Sequence, residues 1–135
     1  MEITVEQTQE PSATVMRLVG QLDGSSYRSV IDKANQLHGQ GSSRLIVDLS
    51  GLSFMSSAGL TALHSVARQF SGEQPLDLDS GWEAMRSVGK ARDANAKYAV
   101  KLVAPQPNVA HTLEITGMDT MFDFYPDVQS AAASF

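Results

Sequence analysis

The sequence predicts an α/β protein with one core and a mixed β-sheet, on three observations. The hydrophobic period switches along the chain between two residues and about 3.6. Short β-branched runs stand between amphipathic stretches, an order that folds as βαβ units with parallel strands. Two strand-like segments follow each other directly at the N-terminus, which adds an antiparallel hairpin. At 135 residues, 42% of them hydrophobic, the chain can bury roughly two thirds of its unfolded surface and is too short for two ordinary domains. The expectation is a single domain over residues 1–135.

Ile3 and Val5 alternate with Thr4 and Glu6, so the first strand has one wet face. Glu10-Pro11-Ser12 marks a turn, and the denser run Val15, Met16, Leu18, Val19 and Leu22 reads as a more central strand. Tyr27, Val30, Ile31, Ala34 and Leu37 recur at helical spacing. Ser25 or Ser26 stands where it can cap that helix, and Gly39 and Gly41 end it. Leu45-Ile46-Val47-Asp48-Leu49 is a buried parallel strand, followed by a loop. Ser56-Ser57-Ala58-Gly59 opens a second helix whose core face carries Leu60, Leu63, Val66, Ala67 and Phe70.

The pattern breaks at Ser71-Gly72. Glu73, Asp77, Asp79 and Glu83 form an acidic stretch, read as an exposed loop over 72–81. A helix is expected over 82–96 with Trp82, Met85 and Val88 on one side, weakened by Gly89. Tyr98 to Ala104 reads as a strand ending at Pro105. Asn108 stands where it can cap a short helix carrying Val109, Leu113 and Ile115, closed by Gly117. Met121-Phe122-Asp123-Phe124 suits a last strand, and Pro126-Asp127 starts a terminal helix through Val128, Ala131, Ala132 and Phe135.

Composition removes several function classes. There is no cysteine, so disulfides, thiolate metal sites and thiol nucleophiles are excluded. Ten basic residues against fifteen acidic ones give a net charge of −5, which repels a nucleic-acid backbone; no direct nucleic-acid partner is expected. No apolar run approaches a membrane span, and no basic start with an apolar run appears, so the expected setting is the cytoplasm without membrane insertion. His38, His64 and His111 lack metal-binding spacing, and neither a GxSxG elbow nor a phosphate loop is present. No metal, cofactor or enzyme activity is expected.

The segment from Asp48 to Leu60 is the best candidate site. It reads as a strand, a loop and a helix start bearing two hydroxyls. The first helical turn presents free amides and the positive end of the helix dipole, so it tolerates a phosphate on serine. Such a phosphate adds roughly −1.5 to −2 charges and strongly solvated oxygens. Burying them against an apolar or acidic partner costs several kcal/mol, enough to undo a modest interface. The plain alternative is that Ser56 or Ser57 is simply a helix cap.

Here the chain resembles the STAS domain family, and within it the anti-sigma factor antagonists. The likeness rests on Arg17-Leu18-Val19-Gly20-Gln21-Leu22-Asp23, Leu45 to Leu49, Leu52 to Leu60, and Leu113-Glu114-Ile115-Thr116-Gly117-Met118. It covers nearly the whole chain except roughly 71–95. The resemblance implies a four- or five-stranded mixed sheet with helices mainly on one side. It implies binding to an anti-sigma factor that is also a serine kinase, phosphorylation that ends the binding, and reversal by a PP2C-type serine phosphatase. The phosphoacceptor falls on Ser57, with Ser56 the second choice, because Ser56 occupies the family's usual acidic position. The implied partner surface is Asp23, Gly24, Ser25, Asp48, Met55, Ser56, Ser57 and Gly59. Compact relatives lack the insertion at about 71–96, where Trp82 could add a contact or simply pack. Two other readings stand: a STAS-type scaffold or adaptor for a transporter or stress-signalling complex without a phospho-switch, and a small anion-binding protein or enzyme.

Overall fold

The computed structural model describes residues 1–9, 12–72, 86 and 98–135. The chain opens with β1 (Glu2–Gln7) and β2 (Thr14–Leu22), followed by α1 (Tyr27–Gly39), β3 (Leu45–Met55) and α2 (Ser57–Phe70). After the expected insertion come β4 (Lys101–Val103), α3 (Pro107–Ile115), a 3-10 turn (Met118–Thr120), β5 (Asp123–Tyr125) and α4 (Val128–Ala133). The five strands lie in the order β1-β2-β3-β4-β5. β1 and β2 are antiparallel, with Glu2 opposite Val19 and Gln7 opposite Thr14, and the other neighbours are parallel. The mixed sheet and its N-terminal hairpin are as expected.

Strand alternation divides the apolar residues between two faces. Leu45, Val47 and Leu49 point with Met16 and Leu18 into the main core, which α1, α2 and α3 cover through residues such as Ile31, Leu63 and Leu113. Val15, Ile46 and Val103 point the other way, onto Ala131 and Ala132 of α4. Helices therefore pack mainly on one side. α1 closes after Gly39, and Gly41 supplies the left-handed turn (φ 98°) that a side chain would strain.

Four local expectations are corrected. β3 does not stop at Leu49 but runs to Met55. Arg17 faces Asp48, Val19 faces Gly51, Gly20 faces Leu52 and Gln21 faces Phe54, so β3 carries two extra residues as bulges. Gly51 permits this, because a Cβ there would sit 3.0 Å from Val19 Cγ2 and 3.3 Å from the Leu18 carbonyl oxygen. Asn108 does not cap α3. Gln106 holds the cap position and Pro107 starts the helix, where its missing N–H is not needed. Ile115 is exposed, not part of the core. Regular pairing in β4 and β5 spans only Lys101–Val103 and Asp123–Tyr125; upstream, the Tyr98 amide still donates to the Met121 carbonyl at 2.7 Å.

Candidate functional site

Leu22 and Met55, the last residues of β2 and β3, are paired neighbours, so the loop after β2 and the start of α2 emerge side by side. The Ser56 amide donates to the Leu22 carbonyl at 2.9 Å, which fastens the helix start to the end of β2. Gly59 lets the first turn of α2 dock closely. A Cβ at this position would lie 2.6 Å from Met55 Cγ and 3.0 Å from both Leu22 Cγ and the Leu22 carbonyl oxygen. Met55 and Gly59 are both buried, which makes them the footing of the site.

The two serines differ sharply. Ser57, the first residue of α2, is exposed at the helix entrance. Ser56 holds the cap position with extended backbone (φ −93°, ψ −178°), yet its side chain makes no cap hydrogen bond. Its Oγ is buried and has no hydrogen-bond partner among the described residues. Such an orphan costs about 1–3 kcal/mol. The cap function that would have explained these serines without a switch is therefore performed by neither.

Beside them, the Asp23–Ser25 loop is held by its own polar groups. Asp23 Oδ1 accepts from the Ser25 amide at 2.9 Å and the Ser25 hydroxyl at 2.6 Å. The Ser25 hydroxyl first, and then its amide, keep the Asp23 carboxyl below its ordinary pKa. Ser26 holds the cap position of α1 but does not cap it. Its hydroxyl donates to the Gln21 carbonyl at 2.8 Å and accepts from the Asp23 amide at 3.1 Å. Gly24 and Ser25 are exposed, and a Cβ on Gly24 would meet nothing within 4 Å. Packing does not require glycine there.

Asp48 lies apart from this cluster. It is seven residues before the end of β3, roughly 20 Å along the strand, and 4% exposed. Arg17 Nε donates to its Oδ2 at 2.8 Å and the Ser50 amide to its Oδ1 at 2.9 Å, while Arg17 Nη1 donates to Glu6 at 2.7 Å. Burial presses the Asp48 pKa upward, but the Ser50 amide and Arg17 outweigh it and hold the carboxyl below its ordinary value. The sequence places Asp48 at a strand end; the structure places it mid-strand, because β3 continues. Trp82 and the expected helix around it lie outside the described residues.

Three contributors escape the sequence reading. Phe54, next but two to Ser57, is 45% exposed. The Gln106 side-chain amide donates to the Ser50 carbonyl at 2.9 Å, and that of Asn108 to the Ser53 carbonyl at 2.6 Å. These bonds serve the edge of β3 beyond the reach of β4, which pairs only with Ile46–Asp48. The bulges in β3 break the alternation past Leu49, since Leu52 and Met55 are both buried, so no period of two foretells Phe54, and nothing local foretells the two amides. His64 is fully buried on α2 and shares a 2.8 Å hydrogen bond with the Tyr98 hydroxyl. Burial, with help from the Arg68 charge, lowers its pKa to about 4. Among the described residues, no three His, Asp or Glu side chains are grouped to hold a metal, and no helix is long and apolar enough to cross a membrane.

Residues 5–88 match a protein-family model described as Mlab, STAS domain. The chain belongs to the STAS domain family. STAS domains are regulatory modules without catalytic machinery of their own. No curated protein matches the chain. Among solved structures, this STAS chain is similar to an anti-sigma factor antagonist from Mycobacterium paratuberculosis, at 19% identity and TM-score 0.67, over 98% of this chain and 93% of the other. It is also similar to the anti-sigma factor antagonist SpoIIAA in its unphosphorylated form, at 16% identity and TM-score 0.56, over 98% and 96%. The Bacillus cell fate determinant SpoIIAA in the phosphorylated form matches at 16% identity and TM-score 0.58, over 99% and 100%. At these identities the likeness establishes the shared fold.

Proposed function

We propose that this STAS protein is an anti-sigma factor antagonist: it binds an anti-sigma factor of the serine-kinase type in the cytoplasm and is switched off by phosphorylation of Ser57. A PP2C-type serine phosphatase would reset it. The observation that carries the reading is the contrast at the start of α2, where the Ser57 side chain is exposed and the Ser56 hydroxyl is sealed. A kinase needs an accessible hydroxyl, and a phosphate on Ser57 meets the free amides and positive dipole of α2, so the helix survives modification. A docked partner does not, because the new charge must be desolvated against it. The partner surface is the Asp23–Ser25 loop with Ser57, footed on Met55 and Gly59 and flanked by exposed Phe54. Asp48 braces the sheet behind it. The names of the similar structures, two of them recording SpoIIAA with and without phosphate, agree with this reading.

Affinity purification from the native cell, with phosphosite mapping of the recovered protein, tests it. The expected result is an ATP-binding serine kinase among the bound proteins and phosphate on Ser57. A second reading, a STAS scaffold or adaptor without a phospho-switch, draws on the matching family model, described as Mlab, STAS domain. A transport complex recovered in place of a kinase would favour it.

A further inference from the structure

The last quarter of the chain carries charge of one sign. From Leu102 to Phe135 there are four carboxylate side chains, Glu114, Asp119, Asp123 and Asp127, and no lysine or arginine. Asp123 faces Lys101 at 3.9 Å, and Asp127 accepts from the Ser130 amide at 2.7 Å. The Glu114 and Asp119 carboxylates form no hydrogen bond or ion pair among the described residues. Both border a groove of about 260 Å³ between α3 and β5, whose other walls are Pro105, Ala110 and Phe124.

Ala110 and Glu114 stand one turn apart on the same face of α3. Phe124 packs from β5 against the main core and stays half-buried. Ile115, beside Glu114, is 68% exposed, the most exposed large apolar side chain among the described residues. The turn that carries Asp119 is fixed, since Met118 is fully buried and the Thr120 hydroxyl donates to the Gly117 carbonyl at 2.8 Å. β5 is the last strand of the sheet, so no further strand covers this flank among the described residues. An apolar floor with two unpaired carboxylates on its rim is complementary to a partner that is apolar at one point and basic beside it. A nucleic-acid backbone, an anionic membrane or an acidic protein would be repelled by the same carboxylates.

We propose that this groove docks a basic protein segment, which seats one large apolar side chain against Ala110 and Phe124 and sets lysine or arginine against Glu114 and Asp119. The groove is set apart from Ser57, because β4 lies between β5 and β3. The contact therefore goes beyond the proposed switch and does not depend on it.

The test selects peptides from a random library displayed on phage against the full chain, then titrates the best enriched peptide. The expected motif is a large apolar residue flanked by lysine or arginine, and its amide-shift changes centre on Ala110, Glu114 and Phe124. Glu114→Gln combined with Asp119→Asn should weaken binding by about ten-fold at low salt and remove most of its salt dependence, with Tm unchanged. Ile115→Ser should cost about three-fold, and Ser57→Glu should change nothing. Failure to enrich a basic motif, equal affinity for the carboxylate variant, or loss of binding in Ser57→Glu overturns the proposal. So does a free protein whose groove is already in contact with its own residues 73–97 or with a second copy of the chain.

Discussion

Asp48 and Ser57 belong to one continuous segment, yet their surroundings are opposite. Asp48 has both carboxylate oxygens engaged, by Arg17 and by the Ser50 amide, and is buried mid-strand. Ser57 stands exposed at a helix entrance whose docking is secured by Gly59 and the bond from Ser56 to Leu22. A polar group whose bonds are all made within the fold is a brace. One left open on a rigid footing is available to a second molecule. The two residues look equally suggestive in the amino-acid string, and only their partners separate them.

The largest expected effect comes from breaking the brace. Asp48→Ala leaves Arg17 and the Ser50 amide without their shared acceptor and should cost about 3 kcal/mol, reduced by the partial exposure of Arg17, in urea or thermal unfolding. A loss near zero would show that Asp48 is as dispensable to the fold as Ser57 is expected to be. Acidification strikes at another buried group. The His64 pKa is about 4 in the folded protein against an ordinary 6.5, so the unfolded chain takes up the proton first. Its contribution is fully present above about pH 6.5 and is lost as the pH falls toward 4, on the order of 3 kcal/mol at most. Stability measured from pH 7 to 4 should fall in the parent and fall less in His64→Phe.

Gly59→Ala attacks the footing. A methyl group 2.6 Å from Met55 Cγ and 3.0 Å from the Leu22 carbonyl forces the helix start away from the sheet, at about 2 kcal/mol by chemical denaturation. Smaller still, Asn108→Ala leaves the Ser53 carbonyl without its 2.6 Å donor and should cost about 1 kcal/mol. Faster amide exchange along residues 53–57 would locate that loss beside the site.

The frame of the molecule was legible in its hydrophobic periods. Val30, Ile31, Ala34 and Leu37 mark α1 and all are buried. Asp127 caps α4 as its type and place suggested, accepting from the Ser130 amide at 2.7 Å. The far half of β3 was not legible, because Ser50, Gly51 and Ser53 show no apolar alternation. That stretch is held as a strand by pairing with β2 and by side-chain amides more than fifty residues away in sequence. Asn108 has the right chemistry for a cap but does that distant work, while Gln106 and Pro107 begin the helix. Two adjacent serines likewise cannot be told apart locally. Only the docking of α2 decides that Ser56 Oγ is sealed and Ser57 is exposed.

The most direct measurement is a binding titration of the partner recovered from the native cell against the parent protein, Ser57→Ala and Ser57→Glu. With Ser57 as the switch, the alanine variant binds within about three-fold of the parent, while the glutamate variant binds at least ten-fold more weakly and keeps its Tm; ten-fold corresponds to about 1.4 kcal/mol. Equal affinity for all three proteins would contradict the account.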